Sequence, residues 1–529
     1  MLLEIHAHSE EHSRCSLIPA ADILRQALGR NLQGVVLTDH HYRWSEEELD
    51  ALRRSSGIPG HFLLLSGQEV STPDLGHVLV FAAAPAIDEG TTAAAIRARF
   101  PEAALVRAHP YRRRLEYRES ELPGPAVDAV EIFSSNHTMK ANSRGLEDWH
   151  RYRFTATAGT DAHGQVPVGT YPTQFDHPVT SIEELAREIR RGRCRPFFKE
   201  ITLAGAHQLV TEIVIGTKGG SEQRPRIILR RFGRQSDWLE ALRTASLADE
   251  LAARGFDSGR FRVPQVLEQD AGRMTIIEEG VRGKTLFERL RMAGPAEGRI
   301  ALGLAAHWLA RLHDLRPALT TRSAFLERES ARLEGYARRF AAVAHRGAPL
   351  VRELAGAVMR EEQRIVGRHP RALVQCHGDF HPKNLVLGQD SLEDRETAFI
   401  AALDLGNAVL APPAFDVGWF LAHYRHQFQE DDRVLALWPP GLFAEEYRHA
   451  AGDRGGGFDR EVAFFEARAG LSIASYLVKL GLGESETVRR LLSGAAEVVL
   501  GRPAEAGDGS IPEQRSEGER QRAGRSSDP

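Results

Sequence analysis

The first 200 residues alternate short aliphatic runs with amphipathic stretches, and nearly every run ends in polar residues. The segments "GVVLTDHH", "HFLLLSGQE", "HVLVFAAA", "AALVRAHP", "AVEIFSSN" and "FTATAGTDAH" each read as a strand. Strands alternating with helices favour a parallel sheet or barrel, with ligands at the carboxyl ends of the strands. The polar run endings sit where such a site would form. The alternation closes around "RPFFKEITL", residues 195 to 203, which places a boundary near 200.

A different pattern follows. "ITLAG", "LVTEIVIG" and "PRIILRRF" read as three strands, the last two joined by "TKGGSEQR". Helical runs are expected at 237–254 and 300–313, and the Arg-, Ala-, Glu- and Leu-rich stretch 320–366 reads as bundle helices with solvated charged faces. The last residues, 501–529, have few large apolar side chains and are expected to be a disordered tail. A chain of 529 residues exceeds one ordinary core, so the expected domains are 1–200, 201–500 and the tail.

Composition excludes several classes. Charged residues make up 26% and no apolar run approaches a bilayer span, so no membrane association is expected. "MLLEIHAHSE" has no basic or sustained apolar leader region, which points to the cytoplasm. Cys15, Cys194 and Cys376 are widely spaced and read as reduced thiols rather than as disulfide or zinc-ribbon cysteines. A net charge of −4 offers no broad footprint for nucleic acid.

Histidine is concentrated at the start: of 22, half lie in the first 163 residues. Strand alternation puts His6 and His8 on one side, suiting two ligands to one ion. Successive run endings add Asp39, His40 and His41, then Glu69, His77, His109, Asp161 and His163. This ordered set, HxH, TDH, GxE, GH, AHP and DxH, resembles the polymerase and histidinol phosphatase (PHP) superfamily over about residues 1–200. The resemblance implies a distorted (β/α)7 barrel holding two or three Zn, Mn or Fe ions. By that analogy His6, His8, Glu69 and Asp161 surround one ion and Glu69 bridges to a second on His77 and His109. His40 and His163 would help hold a third, for which His12 is the natural partner, although Arg14 stands where the family usually has that ligand. A two-ion site with His12 or Arg14 touching substrate phosphate remains the alternative. His41, His137 and His150 are read as surface or supporting residues. Paired divalent ions fit ester hydrolysis because they generate a nucleophile at neutral pH and neutralise phosphate charge. In "YRRR", Arg112 can fork onto a phosphate.

The second constellation is "VQCHGDFHPKNLVL" at 374–387, followed by "FIAALDLGNA". Asp379 can accept a hydroxyl proton, and Asn384 with Asp404 can hold the Mg that bridges ATP phosphates. This segment resembles the aminoglycoside phosphotransferase and choline kinase group over roughly 201–500, which implies a bilobal protein-kinase-like fold. The resemblance makes "LAGAHQLVTEI" the nucleotide-covering turn, Arg230 of "RIILRRF" the phosphate-binding cation and "MTIIEEGVRGKTL", with Glu278, the hinge. Asp379 becomes the catalytic base and Asp416 a structural anchor. Arg230's partner carboxylate is Glu240 or Glu250, of which Glu250 is placed in the nucleotide site. The covering turn has only Gly205 for a glycine-rich loop, and Arg replaces the usual Lys.

The overall class is therefore α/β followed by α+β. The leading expectation is a bifunctional enzyme: a metal-dependent phosphoesterase acting on a small-molecule phosphate ester, fused to an ATP- and Mg-dependent kinase for a hydroxylated small molecule. The alternative keeps the phosphoesterase and makes the kinase-like half a nucleotide or metabolite sensor. A nuclease reading of the first half is least favoured by the charge balance. Substrates, metal identity and oligomeric state are not encoded in these patterns.

Overall fold

The computed structural model describes residues 1–502 apart from 165, 206–207, 218–223, 317, 321–322, 369–372, 391–396, 453–454 and 456. The expected disordered tail, 501–529, lies outside the described residues beyond 502. Among the described residues no helix is long and apolar enough to cross a membrane, and the three cysteines are free thiols.

The first half comprises β1 (Leu2–Ala7), α1 (Ala20–Gly29), β2 (Gly34–Leu37), α2 (Glu46–Ser56), β3 (Leu63–Ser66), β4 (Gln68–Thr72), β5 (Gly76–Phe81), α3 (Ala93–Arg99), β6 (Ala104–Arg107), β7 (Ala129–Phe133), α4 (Met139–Tyr152), β8 (Ala156–Ala158), β9 (Thr173–Phe175), α5 (Ile182–Arg190) and β10 (Cys194–Pro196). These strands form two five-stranded sheets, β10-β9-β1-β2-β3 and β4-β5-β6-β7-β8. Only Gly67 separates β3 from β4, and two bridges, Ala7 with Ala162 and His40 with Glu69, join the ends of β1 and β2 to the two edges of the second sheet. Strands β1 to β8 therefore run round one ring. The pairing is parallel except at β5, which is antiparallel to β4 and β6, and at the returning β9 and β10. The three-residue connection between Thr72 and Gly76 explains β5, because it is too short for a parallel crossover.

Local sequence accounts for the elements around the ring. Ser45 accepts from the Glu48 amide at 3.3 Å while Glu48 accepts from the Ser45 amide at 2.7 Å, a reciprocal cap that starts α2. Helix α5 buries Ile182, Leu185, Ala186 and Ile189, the spacing of one helical face, against Leu3 and Ile5 of β1. Because side chains alternate along a strand, Glu4 and His6 then face the opposite side.

Strand β11 (Phe198–Ala204) begins two residues after β10, so "RPFFKEITL" spans the change of sheet at residue 197. With β12 (Gln208–Ile215), β13 (Arg226–Phe232), β15 (Val266–Asp270) and β16 (Thr275–Glu279) it forms an antiparallel sheet ordered β11-β12-β13-β16-β15. Helix α6 (Gln235–Leu251) follows β13, and β14 (Phe261–Arg262) joins a second sheet, β14-β20-β19-β17, with β17 (Lys284–Thr285), β19 (Leu385–Gln389) and β20 (Ala398–Ala402). Strands β18 (Val374–Cys376) and β21 (Val409–Ala411) pair separately. The rest is helical: α7 (Leu286–Met292), α8 (Pro295–His313), α9 (Ser323–Ala342), α10 (Ala348–Arg368), α11 (Ala414–Gln427), α12 (Asp432–Leu437), α13 (Pro440–Ala451), α14 (Phe458–Lys479) and α15 (Glu486–Leu500). The expected bundle stretch is α9 and α10, whose apolar faces enter one large core with α11 and α14.

Candidate functional sites

The ring of the first half brings most of its histidines together at one end. His6 Nε2 lies 3.2 Å from His8 Nε2, and His8 Nε2 lies 3.1 Å from both Glu69 Oε2 and Asp161 Oδ1. Glu69 occupies the centre. Its Oε1 is 2.9 Å from His77 Nδ1 and 3.1 Å from His109 Nε2, while its Oε2 also lies 3.2 Å from His40 Nδ1. Two ligand-competent groups result, His6/His8/Glu69/Asp161 and Glu69/His77/His109, with donor atoms in each within 4.8 Å of one another. His163 sits at the edge, its Nδ1 3.7 Å from Asp161 Oδ1. A cavity of about 830 Å³ opens over the cluster and is also lined by Arg112 and Cys15.

Buried partners aim these ligands. Glu131 Oε1 accepts from His6 Nδ1 at 2.9 Å, which turns the Nε2 lone pair of His6 inward, and Glu131 Oε2 accepts the His109 amide at 2.9 Å. Asn136 donates to Asp161 Oδ2. Asp39 is filled by Ser9, Ser13 and Trp44, with bonds of 2.6 to 2.9 Å, so it shapes the loop after β1. His109 and Asp161 hold positive φ of 28° and 49°, conformations costly for residues with a Cβ and concentrated at functional sites.

The electrostatics call for positive charge. Burial pulls His6 down, but Asp161, Glu131 and Glu69 together hold its pKa well above the ordinary value, and a similar balance pushes His8 up to about 9. Burial raises Glu69 and Asp161, yet the adjacent imidazoles leave both below the usual carboxylate range. His40 is pulled down to about 4, by burial first and by neighbouring imidazoles. Asp161 Oδ1 is buried and accepts no hydrogen bond. Imidazole and carboxylate donors that converge around an unfilled acceptor fit Zn, Mn or Fe.

His12 departs from its expected place. Its ring stacks on Tyr42 at 3.6 Å and its Nε2 lies 3.7 Å from Glu48, on the far side of the loop. The loop after β1 turns at Ser13, and the side chain beside His8 and His40 is Cys15, whose spacing from the histidines matched no ligand pattern. Arg14 is exposed. His41 bonds the Ile87 carbonyl at 3.0 Å and His137 bonds Asn142 at 3.1 Å, both supporting contacts, while His150 stacks beside Trp149. Glu131 and Asn136 were missed by the sequence reading.

In the second half, the loop 377–384 runs from β18 to β19. Asp416, at the start of α11, accepts the His377 and Gly378 amides at 2.7 and 2.8 Å and also contacts His313 at 3.2 Å. Burial opposes its charge, but these donors hold it below the usual carboxylate range. Gly378 has φ of +80°, and a Cβ there would stand 1.9 Å from the Asn407 carbonyl, so the loop needs glycine. Asp379 Oδ1 accepts from Trp419 Nε1 at 3.0 Å and its Oδ2 from Asn384 Nδ2 at 3.3 Å. Leu403 N donates to the Asn384 carbonyl at 2.8 Å, which ties Asp404, at φ of 60°, to the same end of the β19–β20 hairpin. A cavity of about 590 Å³ adjoins Asp379 and is lined by His381, Lys383, Trp419, His423 and Tyr476.

Arg230 is placed differently from the expectation. Its Nε pairs with Glu278 of β16 at 3.1 Å, whereas Glu250 lies 3.9 Å from Arg254 and is exposed. The strands explain this, because Arg230 and Glu278 sit two register steps apart on paired neighbours and reach each other along the sheet face. Burial raises Glu278, with Arg230 opposing and Asp404 adding to the rise. The tip of the expected covering turn, 206–207, lies outside the described residues.

Residues 205–463 match the phosphotransferase enzyme family. That match makes the second half similar to a phosphotransferase domain over those residues. Residues 140–194 match the family described as PHP-associated, the part of the first half that includes α4, β8 and α5. No curated protein matches the chain. Among solved structures, it is similar to the ethanolamine kinase of Plasmodium vivax at 13% identity, covering 57% of this chain and 82% of that one with a TM-score of 0.38. It is also similar to the aminoglycoside phosphotransferase APH(2'')-IIa in its streptomycin–ATP complex, at 14% identity, 57% and 93% coverage and a TM-score of 0.37. For the aminoglycoside phosphotransferase APH(3'')-Id from Streptomyces rimosus the values are 18%, 50% and 90%, and 0.34.

Proposed function

We propose that the chain is a bifunctional enzyme with domains at 1–200 and 201–500, the first a PHP-type metal-dependent phosphoesterase and the second an ATP-dependent small-molecule kinase. The observation that carries the reading is Glu69, whose two oxygens face different sets of imidazoles 2.9 to 3.2 Å away, the placement of a carboxylate bridging two ions. The ring of β1 to β8, with β3 and β4 as one bent strand, supports the distorted (β/α)7 barrel. His6, His8, Glu69, Asp161, His77 and His109 would hold divalent ions, which would supply a nucleophile at neutral pH and neutralise phosphate charge. The protein's part is to aim those ligands through Glu131 and Asn136, and to receive the ester phosphate with Arg112 at the cavity wall.

In the kinase half, Asp379 takes the proton of the acceptor hydroxyl as that oxygen attacks the γ-phosphate, whose bond to the bridging oxygen breaks to release ADP. Trp419 and Asn384 fix the carboxylate for this, and Asn384 with Asp404 would hold the magnesium that neutralises the ATP phosphates. The pairing of Arg230 with Glu278, a hinge-strand carboxylate, favours a second reading in which this half binds nucleotide as a sensor.

One experiment separates these readings. Wild type, Asp161→Asn and Asp379→Asn are assayed for p-nitrophenyl phosphate hydrolysis with Mn, and for phosphate gain in a small-metabolite extract with ATP and Mg, read by mass spectrometry. Asp161→Asn should lose hydrolysis alone and Asp379→Asn transfer alone. Joint loss in both variants would overturn the two-site proposal, and ATP binding without any phosphorylated product would leave the sensor reading.

A further inference from the structure

We propose that the Cys15 thiolate is a metal ligand, binding with His40 an ion distinct from those on Glu69. This rests on the metal-site reading above. The loop between β1 and α1 is built to place it there: Ser13 Oγ donates to Asp39 Oδ1 at 2.6 Å and Ser16 Oγ to the His8 carbonyl at 2.7 Å, which fixes the chain on both sides of Cys15 against the cavity. His12, the ligand-type residue nearest in sequence, is turned away and held by Tyr42, Trp44 and Glu48. Cys15 Sγ and ring nitrogens of His8 and His40 all lie within 4.8 Å of one another. His8 Nε2 and His40 Nδ1 already face Glu69, so the Cys15 thiol is the donor that this group adds for a further ion, with His163 on the same cavity wall.

The donor set also selects the ion. A thiolate with an imidazole favours zinc, cobalt or iron over magnesium or calcium, and binding releases the thiol proton. Cys15 lies at the cavity mouth, whereas Cys194 and Cys376 are buried, so a thiol reagent reads Cys15 selectively in the folded protein.

The test uses the full chain, stripped of metal and titrated with cobalt(II). Wild type should develop a near-ultraviolet thiolate-to-cobalt charge-transfer band, and Cys15→Ser should lack the band and bind one equivalent of cobalt fewer while keeping its circular dichroism. Because a metal-bound thiolate is withdrawn from reaction, cobalt should slow Cys15 alkylation by iodoacetamide about tenfold or more. Cobalt binding without the band in wild type, or a band that survives in Cys15→Ser, would overturn the inference and leave the sites on Glu69 standing. Absence of any cobalt binding would bring down the metal-site reading itself, and the inference with it.

Discussion

Glu131 points none of its oxygens into the cavity, yet both are committed to ligand residues, one to the His6 ring and one to the His109 backbone. It therefore fixes which nitrogen of His6 is free to bind. Losing such a partner costs about 10–100-fold in metal affinity. Glu131→Gln, which keeps the volume, should weaken zinc binding by that factor in competition with a chromogenic chelator, at unchanged circular dichroism; wild-type affinity would assign Glu131 to packing alone. The same residue shows what was legible in the sequence. His6, His8, Glu69, His77, His109 and Asp161 could be read because each stands at a strand end or on a strand's alternate face. Glu131 sits inside the apolar strand "AVEIF", where a single polar residue carries no sign of its partner. That Cys15 rather than His12 lies beside His8 and His40 was also beyond reading, because loop direction is set by Ser13 and Ser16 bonds that sequence spacing does not encode.

Helices α9, α10 and α14 meet over a buried charge cluster in which Arg468 pairs with Glu329 and lies 3.7 Å from Glu362. Burial raises the Glu362 pKa to about 8, with the Glu329 charge adding to the rise and Arg468 opposing it. In the unfolded chain a glutamate returns to its ordinary lower value, so between the two values the folded state binds the extra proton. Stability from this group is then complete in acid and is lost as the pH rises through the folded value. Wild type should lose thermal stability between about pH 5 and about pH 9, and Glu362→Gln should flatten that slope in differential scanning calorimetry. An unchanged slope would place the titration elsewhere. Helical periodicity identified α9 and α10 over 320–366, but not that their inner faces carry ionisable groups, because Arg, Glu and Ala at helical spacing read equally well as a solvated face. The antiparallel β5 was hidden for a related reason: "HVLVFAAA" shows a strand but not its direction.

The two halves share an apolar core. Ile132, Phe133 and Leu146 of the first half pack with Ile213, Ile215, Ile227, Leu267 and Ile277 of the second half's sheet, and Arg144 of α4 donates to Glu268 of β15 at 3.2 Å. None of this is visible in either half's sequence read separately, since a buried sheet face looks the same whether a helix or another domain covers it. Gly216 lies beside this contact: the φ is +80°, a Cβ would stand 2.4 Å from the Thr170 carbonyl oxygen, and the next residue, Thr217, donates to the Arg30 carbonyl at 2.6 Å. Gly216→Ala therefore strains the backbone and pushes the halves apart, at a cost of about 1–3 kcal/mol. No candidate ligand or phosphotransfer residue lies in that contact, so hydrolysis and transfer should each persist in the variant at low temperature. Its effect should appear in unfolding instead: wild type should melt in one cooperative transition, and Gly216→Ala in two, the earlier one below the wild-type Tm. If the variant melts once at the wild-type temperature, Gly216 adds little to the contact between the halves.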